Sequence, residues 1–378
     1  MRDGFIRAAA VSPELRVADC AFNTQKIIEV IDAVASSGVS LLTLPELCIT
    51  GYTCGDLFSQ HVLLSCALDS LAAIAQATCG KNMFVFVGLP LEKDQKLFNC
   101  AAALFDGKLL GVVPKSHLPN YGEFYELRNF EPAPAGNSKI TVNGSTVPFG
   151  THLLFAAPAM PELKIAAEIC EDLWVAAPPS VSHAKAGATV ICNLSASDET
   201  VGKSDYRRTL TSSQSARLLC AYLYADAGEG ESTTDMVFAA HNLICENGVI
   251  LAESKPFGDG WAQTEIDVAY LAAERRRMTS HIADPDGYET ISFDLNLQET
   301  TLSRTFDREP FIPQNPETRS RRCEDILNIQ AHGLAKRVRH AHARSLVVGI
   351  SGGLDSCLAL LVAVRAMTLL DRPATDIT

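Results

Sequence analysis

Apolar runs of strand length recur along this chain, and segments with helical spacing separate several of them, a pattern that predicts an α/β protein. The runs are Ile6–Val11, Val39–Leu44, Met83–Leu89, Cys100–Phe105, Leu163–Ile169, Ala188–Leu194, Leu219–Tyr224 and Met236–Cys245. A chain of 378 residues that is 47% hydrophobic can bury a large core, so one big domain plus part of another is expected. The first helix is the clearest. Asn23 can cap it, Ile27, Ile28, Ile31, Val34 and Ala35 form its buried stripe, and Gly38 ends it before the next strand.

Composition narrows the function classes. A net charge of -12 spread along the chain argues against a nucleic-acid partner, which needs a basic surface, and favours a small-molecule substrate. The twelve cysteines include no CxxC pair, and Met1–Ala10 holds two Arg and one Asp, unlike a signal peptide, so a reducing cytoplasm is expected. The longest uncharged stretch, Ile140–Pro161, carries Asn143, Ser145, Thr146 and three prolines and cannot be a spanning helix, so no membrane association is expected.

Beyond about Tyr270 the texture changes. Arg275–Arg277, the Asp284-Pro285-Asp286-Gly287 turn and a polar stretch through Phe311-Ile312-Pro313 lack clean periodicity and read as a linker. From Arg319 an amphipathic helix (Ile326, Leu327, Ile329, Leu334, Val338) leads to a strand at Ser345–Ile350, a Gly-rich turn and a second helix from Ser356. The expected organisation is a domain over residues 1–270, a linker over 271–318 and the opening part of a further domain over 319–378, with the chain stopping before that domain is complete.

Three segments place a reactive polar side chain just after a buried strand, where α/β proteins build sites. Glu46, in Leu44-Pro45-Glu46-Leu47, is open to a capping or surface role as well as a chemical one. Lys115 sits next to a proline in Pro114-Lys115-Ser116-His117-Leu118-Pro119, as either a fixed cation or a solvated loop lysine, and His117 reads as a structural hydrogen-bond donor. Glu126 reads equally as an acid supporting a site or as one half of an ion pair with Arg128. Cys170 differs from the other cysteines, most of which read as small buried hydrophobes. It ends a strand and is followed by Glu171 and Asp172, polar surroundings that suit a reactive thiol.

Together the three segments resemble the nitrilase, or carbon-nitrogen hydrolase, superfamily, over roughly the first 260 residues. The resemblance implies an α-β-β-α sandwich with Glu46 as general base, Cys170 as nucleophile and Lys115 as the cation facing the oxyanion. Finer strings, GEFYE after the lysine, ICEDLW around the cysteine, NLSAS followed by Lys203, and AGEGESTTD at Ala227–Asp235, are similar to the glutaminase domain of the glutamine-dependent NAD+ synthetase family. That likeness implies Tyr121, Ser197 and Lys203 at the amino-acid end of glutamine, with Glu126 and Glu171 as supporting acids. The family can carry Arg where this chain has Lys203, and Lys keeps the charge but loses the bidentate fork.

Gly349-Ile350-Ser351-Gly352-Gly353-Leu354-Asp355-Ser356 can bring backbone N–H groups, hydroxyls and a helix N-terminus onto one phosphate. No Lys follows its glycines, so it is not a Walker A loop. It resembles the SGGxDS loop of Rossmann-like ATP-pyrophosphatase enzymes. The resemblance implies ATP contacts from Ser351, Gly352, Gly353, Asp355 and Ser356, with Asp355 near Mg2+. The function so implied is glutamine-dependent NAD+ synthesis, with glutamine, deamido-NAD and ATP as substrates, no cofactor for the glutaminase half, and a homo-oligomeric assembly. The alternative is a chain acting only as a glutaminase or amidase, and a third, non-enzymatic scaffold reading is opposed by the intact Glu46, Lys115 and Cys170.

Overall fold

A computed structural model describes residues 3–378, so the first two residues of the N-terminal decapeptide lie outside it. The chain forms two compact units, one running to Arg304 and the other Thr305–Thr378.

The larger unit holds two mixed sheets. The first contains β1 (Phe5–Val11), β2 (Leu41–Thr43), β3 (Phe84–Lys93), β4 (Lys96–Phe105), β5 (Lys108–Pro114), β6 (Ser138–Val142) and β7 (Ser145–Phe149). The second contains β8 (Leu153–Ala156), β9 (Lys164–Ile169), β10 (Val190–Leu194), β11 (Ala221–Ala225), β12 (Leu243–Glu246) and β13 (Val249–Glu253). Two later strands return to the sheet edges: β14 (Trp261–Asp267) to the first and β15 (Glu289–Ser292) to the second. The orders are β14-β1-β2-β3-β4-β5-β7-β6 and β13-β12-β11-β10-β9-β8-β15.

Parallel neighbours need a crossover, and the helices supply it. The helix α1 (Cys20–Ser36) joins β1 to β2, and α2 (His61–Ala77) joins β2 to β3. In the second sheet α3 (Pro179–Ala186) joins β9 to β10, and α4 (Lys203–Leu218) joins β10 to β11. Strand alternation then divides the core into three layers. Ala9, Val11, Val85 and Val87 meet Ile27, Ile31 and Ile74 of α1 and α2. On the opposite face Ala8, Ala10, Phe84 and Phe86 meet Phe155, Ile165, Ala167, Cys192 and Leu223 of the second sheet. Ala166, Ile191, Tyr222 and Tyr224 pack under Ala184 and Leu218 of α3 and α4. The result is the α-β-β-α sandwich, and its central strands read as continuous apolar runs because both of their faces are covered.

Several local expectations are corrected. Asp19, not Asn23, caps α1, accepting a hydrogen bond from the Phe22 N–H at 3.0 Å. Asn23 is buried one turn on, and its amide is used to bind Arg16 and Ile49. The run Met236–Cys245 is strand only from Leu243. The Asn242 side chain accepts from the Asp226 N–H and donates to the Gly260 carbonyl, which holds the preceding backbone off the ladder. The stretch read as a linker carries the end of α5 (Val268–Arg277) and then β15, which pairs in parallel with β8 and sends Phe293 and Leu295 into the inter-sheet core.

In the smaller unit α6 (Pro316–His340) starts at an Asn315 cap with Pro316 at its first position, and α7 (Leu354–Leu369) packs on it through Ala331, Ala335 and Ala366. The expected strand at Ser345–Ile350 does not form. Among the described residues its backbone meets only the 376–378 segment, through one bridge at Leu346, and a strand needs a longer ladder than that. No helix among the described residues is long and apolar enough to cross a membrane.

Candidate active site

Glu46, Lys115 and Cys170 follow β2, β5 and β9, and all three are buried, with exposures of 1%, 0% and 5%. Burial of that many ionisable groups is costly unless each is paired, and each carboxylate and ammonium here is. Lys115 donates from Nζ to Glu46 Oε1 and to Glu126 Oε1, both at 2.6 Å. Asn99 Nδ2 donates to the same Glu46 oxygen at 2.5 Å, and the Ala196 N–H donates to Glu46 Oε2 at 2.9 Å. Burial works against the charge on Lys115, but the carboxylates of Glu126 and Glu46 outweigh it and hold the ammonium well above its ordinary value. Burial pushes Glu126 up to about 7, against the pull of Lys115.

Gly88 explains how Glu46 comes so close to β3. A Cβ there would lie 2.3 Å from Leu47 N, 2.5 Å from Pro45 O and 2.8 Å from Glu46 C, all backbone atoms. Only a glycine admits the loop.

Cys170 adopts φ +45°, a left-handed conformation uncommon for a residue with a Cβ and a form of backbone strain found at functional sites. Its N–H donates to Asn193 Oδ1 at 3.1 Å, and Ser195 Oγ donates to the same oxygen at 2.7 Å. Tyr222 accepts from Asn193 Nδ2 and donates to Glu168, whose other oxygen accepts from the Ser180 N–H. Burial and the nearby Glu46 carboxylate push the Cys170 thiol well above its ordinary value, with Lys115 acting in the opposite sense, so the resting sulfur carries its proton.

Asp172 joins the cysteine turn to the lysine loop. It accepts from the Ile169 N–H at 3.0 Å and the His117 N–H at 2.9 Å, and lies 2.8 Å from His117 Nδ1. Hydrogen bonding to Asp172 raises the His117 pKa, so this imidazole is a strut between loops.

The remaining candidates separate. Tyr121 is 58% exposed and donates to both oxygens of Glu171, and its phenol is pushed up by burial and by that carboxylate together, with Cys170 and Lys115 also in electrostatic range. Lys203, the first residue of α4, pairs with Asp198 and lies over the Trp174 and Phe124 rings at 5.4 and 5.8 Å. Ser197 is buried instead: its N–H donates to Asp226 Oδ1 at 2.8 Å, and Arg207 approaches its hydroxyl at 3.5 Å. Glu126 pairs with Lys115, whereas Arg128 pairs with Asp56 at the surface.

Sequence reading missed Asn99, Asn193, Tyr52, Glu168, Arg207 and Asp226. Arg207 is wholly buried, bonded to Glu199 and His241 at 2.8 Å and 3.5 Å from Asp226, whose carboxyl burial pushes up to about 6 despite the arginine. A charged residue inside an otherwise polar helix gave no sign of this. Asn99 could have been found, because an asparagine within an apolar β4 run has to be satisfied somewhere.

A match to the family model described as carbon-nitrogen hydrolase spans residues 7–276. The chain belongs to the carbon-nitrogen hydrolase family. A second match, to the NAD synthase model, spans residues 326–374. The glutamine-dependent NAD(+) synthetase of Mycobacterium tuberculosis (strain ATCC 25618 / H37Rv) is 40% identical, over 99% of this chain and 57% of its own length. That of Thermotoga maritima is 29% identical, over 96% and 58% respectively. The chain thus spans a little over half the length of these curated relatives. Among solved structures, a glutamine-dependent NAD(+) synthetase from Cytophaga hutchinsonii aligns with a TM-score of 0.63 at 24% identity, over 96% of this chain and 52% of that one. Saccharomyces cerevisiae Nit3, a member of branch 10 of the nitrilase superfamily, aligns with 0.57 at 18%, over 73% and 95%. These two share the carbon-nitrogen hydrolase fold with the larger unit.

In the smaller unit the turn is exposed from Ser351 to Asp355, and Ser356 is half-buried. Ser351 and Ser356 hydroxyls lie 3.3 Å apart, Gly352 has φ +82°, and α7 begins after Gly353 with no side-chain cap. Asp355 is exposed in its first turn. Among the described residues no three His, Cys, Asp or Glu side chains cluster to hold a metal ion.

Proposed function

We propose that this chain carries the glutamine-hydrolysing half of glutamine-dependent NAD+ synthesis, together with the phosphate-binding turn of the half that uses the ammonia. The observation that carries the reading is the strained Cys170 set beside a buried Glu46–Lys115–Glu126 cluster at the C-terminal ends of two sheets' strands. The likeness to the named synthetases supplies the substrate.

Glu46 Oε1 already accepts from Lys115 and Asn99, whereas among the described residues Oε2 accepts only from Ala196, so the thiol proton passes to Oε2. As it does, Sγ attacks the carboxamide carbon, and the developing oxyanion faces the Lys115 ammonium, fixed in advance by two carboxylates. Collapse breaks the C–N bond, and Glu46 returns its proton to the departing ammonia. Water then adds to the thioester with Glu46 as base; glutamate leaves and the thiol is restored. Tyr121, Lys203 and Ser197 serve the amino-acid end of glutamine, Lys203 by its charge and Ser197 from a loop braced by Asp226.

The start of α7, which has no side-chain cap, the exposed Ser351 and the half-buried Ser356 suit phosphate oxygens, so this turn takes ATP. Asp355, exposed in the first turn of α7, is the carboxylate that would hold a Mg2+ ion, which would neutralise charge on the transferring phosphates. Adenylated deamido-NAD then accepts the ammonia with loss of AMP.

Ammonia release from glutamine by the purified protein tests the reading, with other carboxamides and Cys170→Ala alongside. Glutamine preference lost in the variant is expected. Release that persists in Cys170→Ala, or a preference for another carboxamide, would overturn it.

A further inference from the structure

The string Ala227–Asp235 has a role that the chemistry above does not use. Its centre, Glu231, is buried at 7% exposure. Its Oε1 accepts from the Tyr52 N–H at 2.7 Å, and its Oε2 from the Thr53 N–H at 3.0 Å and the Thr53 hydroxyl at 2.5 Å. The Ser232 N–H returns a bond to that hydroxyl at 2.8 Å. The glycines of the string let its backbone lie close on Leu15 and Ala240. A Cβ on Gly230, at φ +108°, would lie 1.9 Å from the Leu15 carbonyl oxygen, and one on Gly228 would lie 2.7 Å from Ala240 Cβ. The loop thus packs tightly on Leu15 and Ala240 while Glu231 bonds it to the turn that follows Glu46.

Tyr52 carries the contact inward. Its hydroxyl donates to Glu126 Oε1 at 2.8 Å, the same oxygen that accepts from Lys115, and Lys115 reaches Glu46. Glu126 Oε2 has no hydrogen-bond partner among the described residues, so Oε1 alone carries the share of Glu126 in holding Lys115. We infer that Glu231 is a positioning residue for the reaction: by clamping the backbone of Tyr52 it fixes the phenol that orients Glu126, and through it the ammonium of Lys115. The assignment to turnover rests on the proposed glutaminase reading; the assignment to Lys115 and Cys170 does not.

The test is a double-mutant cycle on the full chain with Glu231→Ala, Tyr52→Phe and both together. Two rates are read: kcat and KM for ammonia release from glutamine, and the rate at which iodoacetamide alkylates Cys170, followed on its peptide by mass spectrometry. Each single change is expected to lower kcat about tenfold with KM within about twofold, and to change the alkylation rate in the same direction as the other. The double variant should match Glu231→Ala within about twofold, because one hydroxyl cannot be lost twice. Losses that multiply in the double variant, or a Glu231→Ala protein within twofold of the parent in both rates, overturn the inference. If the parent releases no ammonia, the glutaminase reading fails, while the alkylation cycle still decides the role of Glu231. Should Glu231→Ala not fold, Glu231→Gln, which keeps one acceptor oxygen, takes its place under the same criterion.

Discussion

Gly88→Ala is the sharpest probe of the candidate base, because it alters neither charge nor any proposed reacting group. The added Cβ would begin 2.3 Å from Leu47 N and 2.5 Å from Pro45 O. Ordinary carbon contacts start near ~3.5 Å, so the Pro45–Leu47 backbone or β3 has to move by about 1 Å. The neighbours are main chain held by the Ile49 N–H to the Gly88 carbonyl at 3.2 Å and by the Glu46 N–H to the Ser195 carbonyl at 3.3 Å, so no flexible side chain can absorb the shift. Overpacking of this kind costs about 1–3 kcal/mol of stability. Displacement of a reacting group by about 1 Å costs on the order of 100-fold in rate. The expected result is a folded protein with a lowered melting temperature and kcat for ammonia release reduced about 100-fold, measured at a temperature where both proteins remain native. A variant with kcat within threefold of the parent would refute the claim that Gly88 sets the place of Glu46.

Further expectations concern the supports. Asp172→Ala removes the acceptor of the buried Ile169 N–H and of the half-buried His117 N–H, and should cost about 2–4 kcal/mol in urea denaturation; His117→Ala, at a partly exposed ring, should cost less than half as much, and equal losses would refute the strut. Glu168 is fully buried, and burial raises its carboxyl from 4.5 to about 7. The folded state therefore keeps a proton that the unfolded state has lost, so its contribution to stability is present below pH ~4.5 and declines as pH rises to about 7, by up to about 3 kcal/mol. Denaturation midpoints followed over that range should fall less steeply in Glu168→Gln than in the parent, and parallel curves would count against the assignment. Gly333→Ala, in the interior of α6 with nothing within 4 Å of the new Cβ, should stabilise the smaller unit by about 0.5–1 kcal/mol, read by its own denaturation.

The central strands and the first helix were legible because burial on both faces leaves an unbroken apolar run and one stripe of Ile and Val. The strands β5 to β8, at or near one end of each sheet, were not, being short or mixed in polarity, and Pro148 lies within β7. Their turn chemistry was nonetheless present: Asp106-Gly107, Asn143-Gly144 and Asn247-Gly248 all take left-handed φ at both positions and close two-residue hairpins. For the site, the strand-end positions of Glu46, Lys115 and Cys170 could be read, whereas the residues that support them could not. Asn99, Tyr52 and Glu231 come from distant stretches of chain, and no local pattern marks a side chain whose partner is 50 or more positions away. The Ser345–Ile350 run reads as a strand from its composition alone, but a ladder is a property of two segments.

The candidate triad is divided between the sheets: Glu46 and Lys115 leave the first, and Cys170 leaves the second. Between them, the alanines at 8, 10, 101, 103 and 167 sit among Phe84, Phe86, Phe155 and Phe293, small against large. Such a surface is keyed like a ratchet, and neither sheet can slide past the other without driving rings into methyl groups. The candidate nucleophile and the candidate base are therefore two jaws of one vice whose screw is the hydrophobic seam. Heat that loosens the seam would part the jaws, and with them the candidate triad, before the strands themselves come apart.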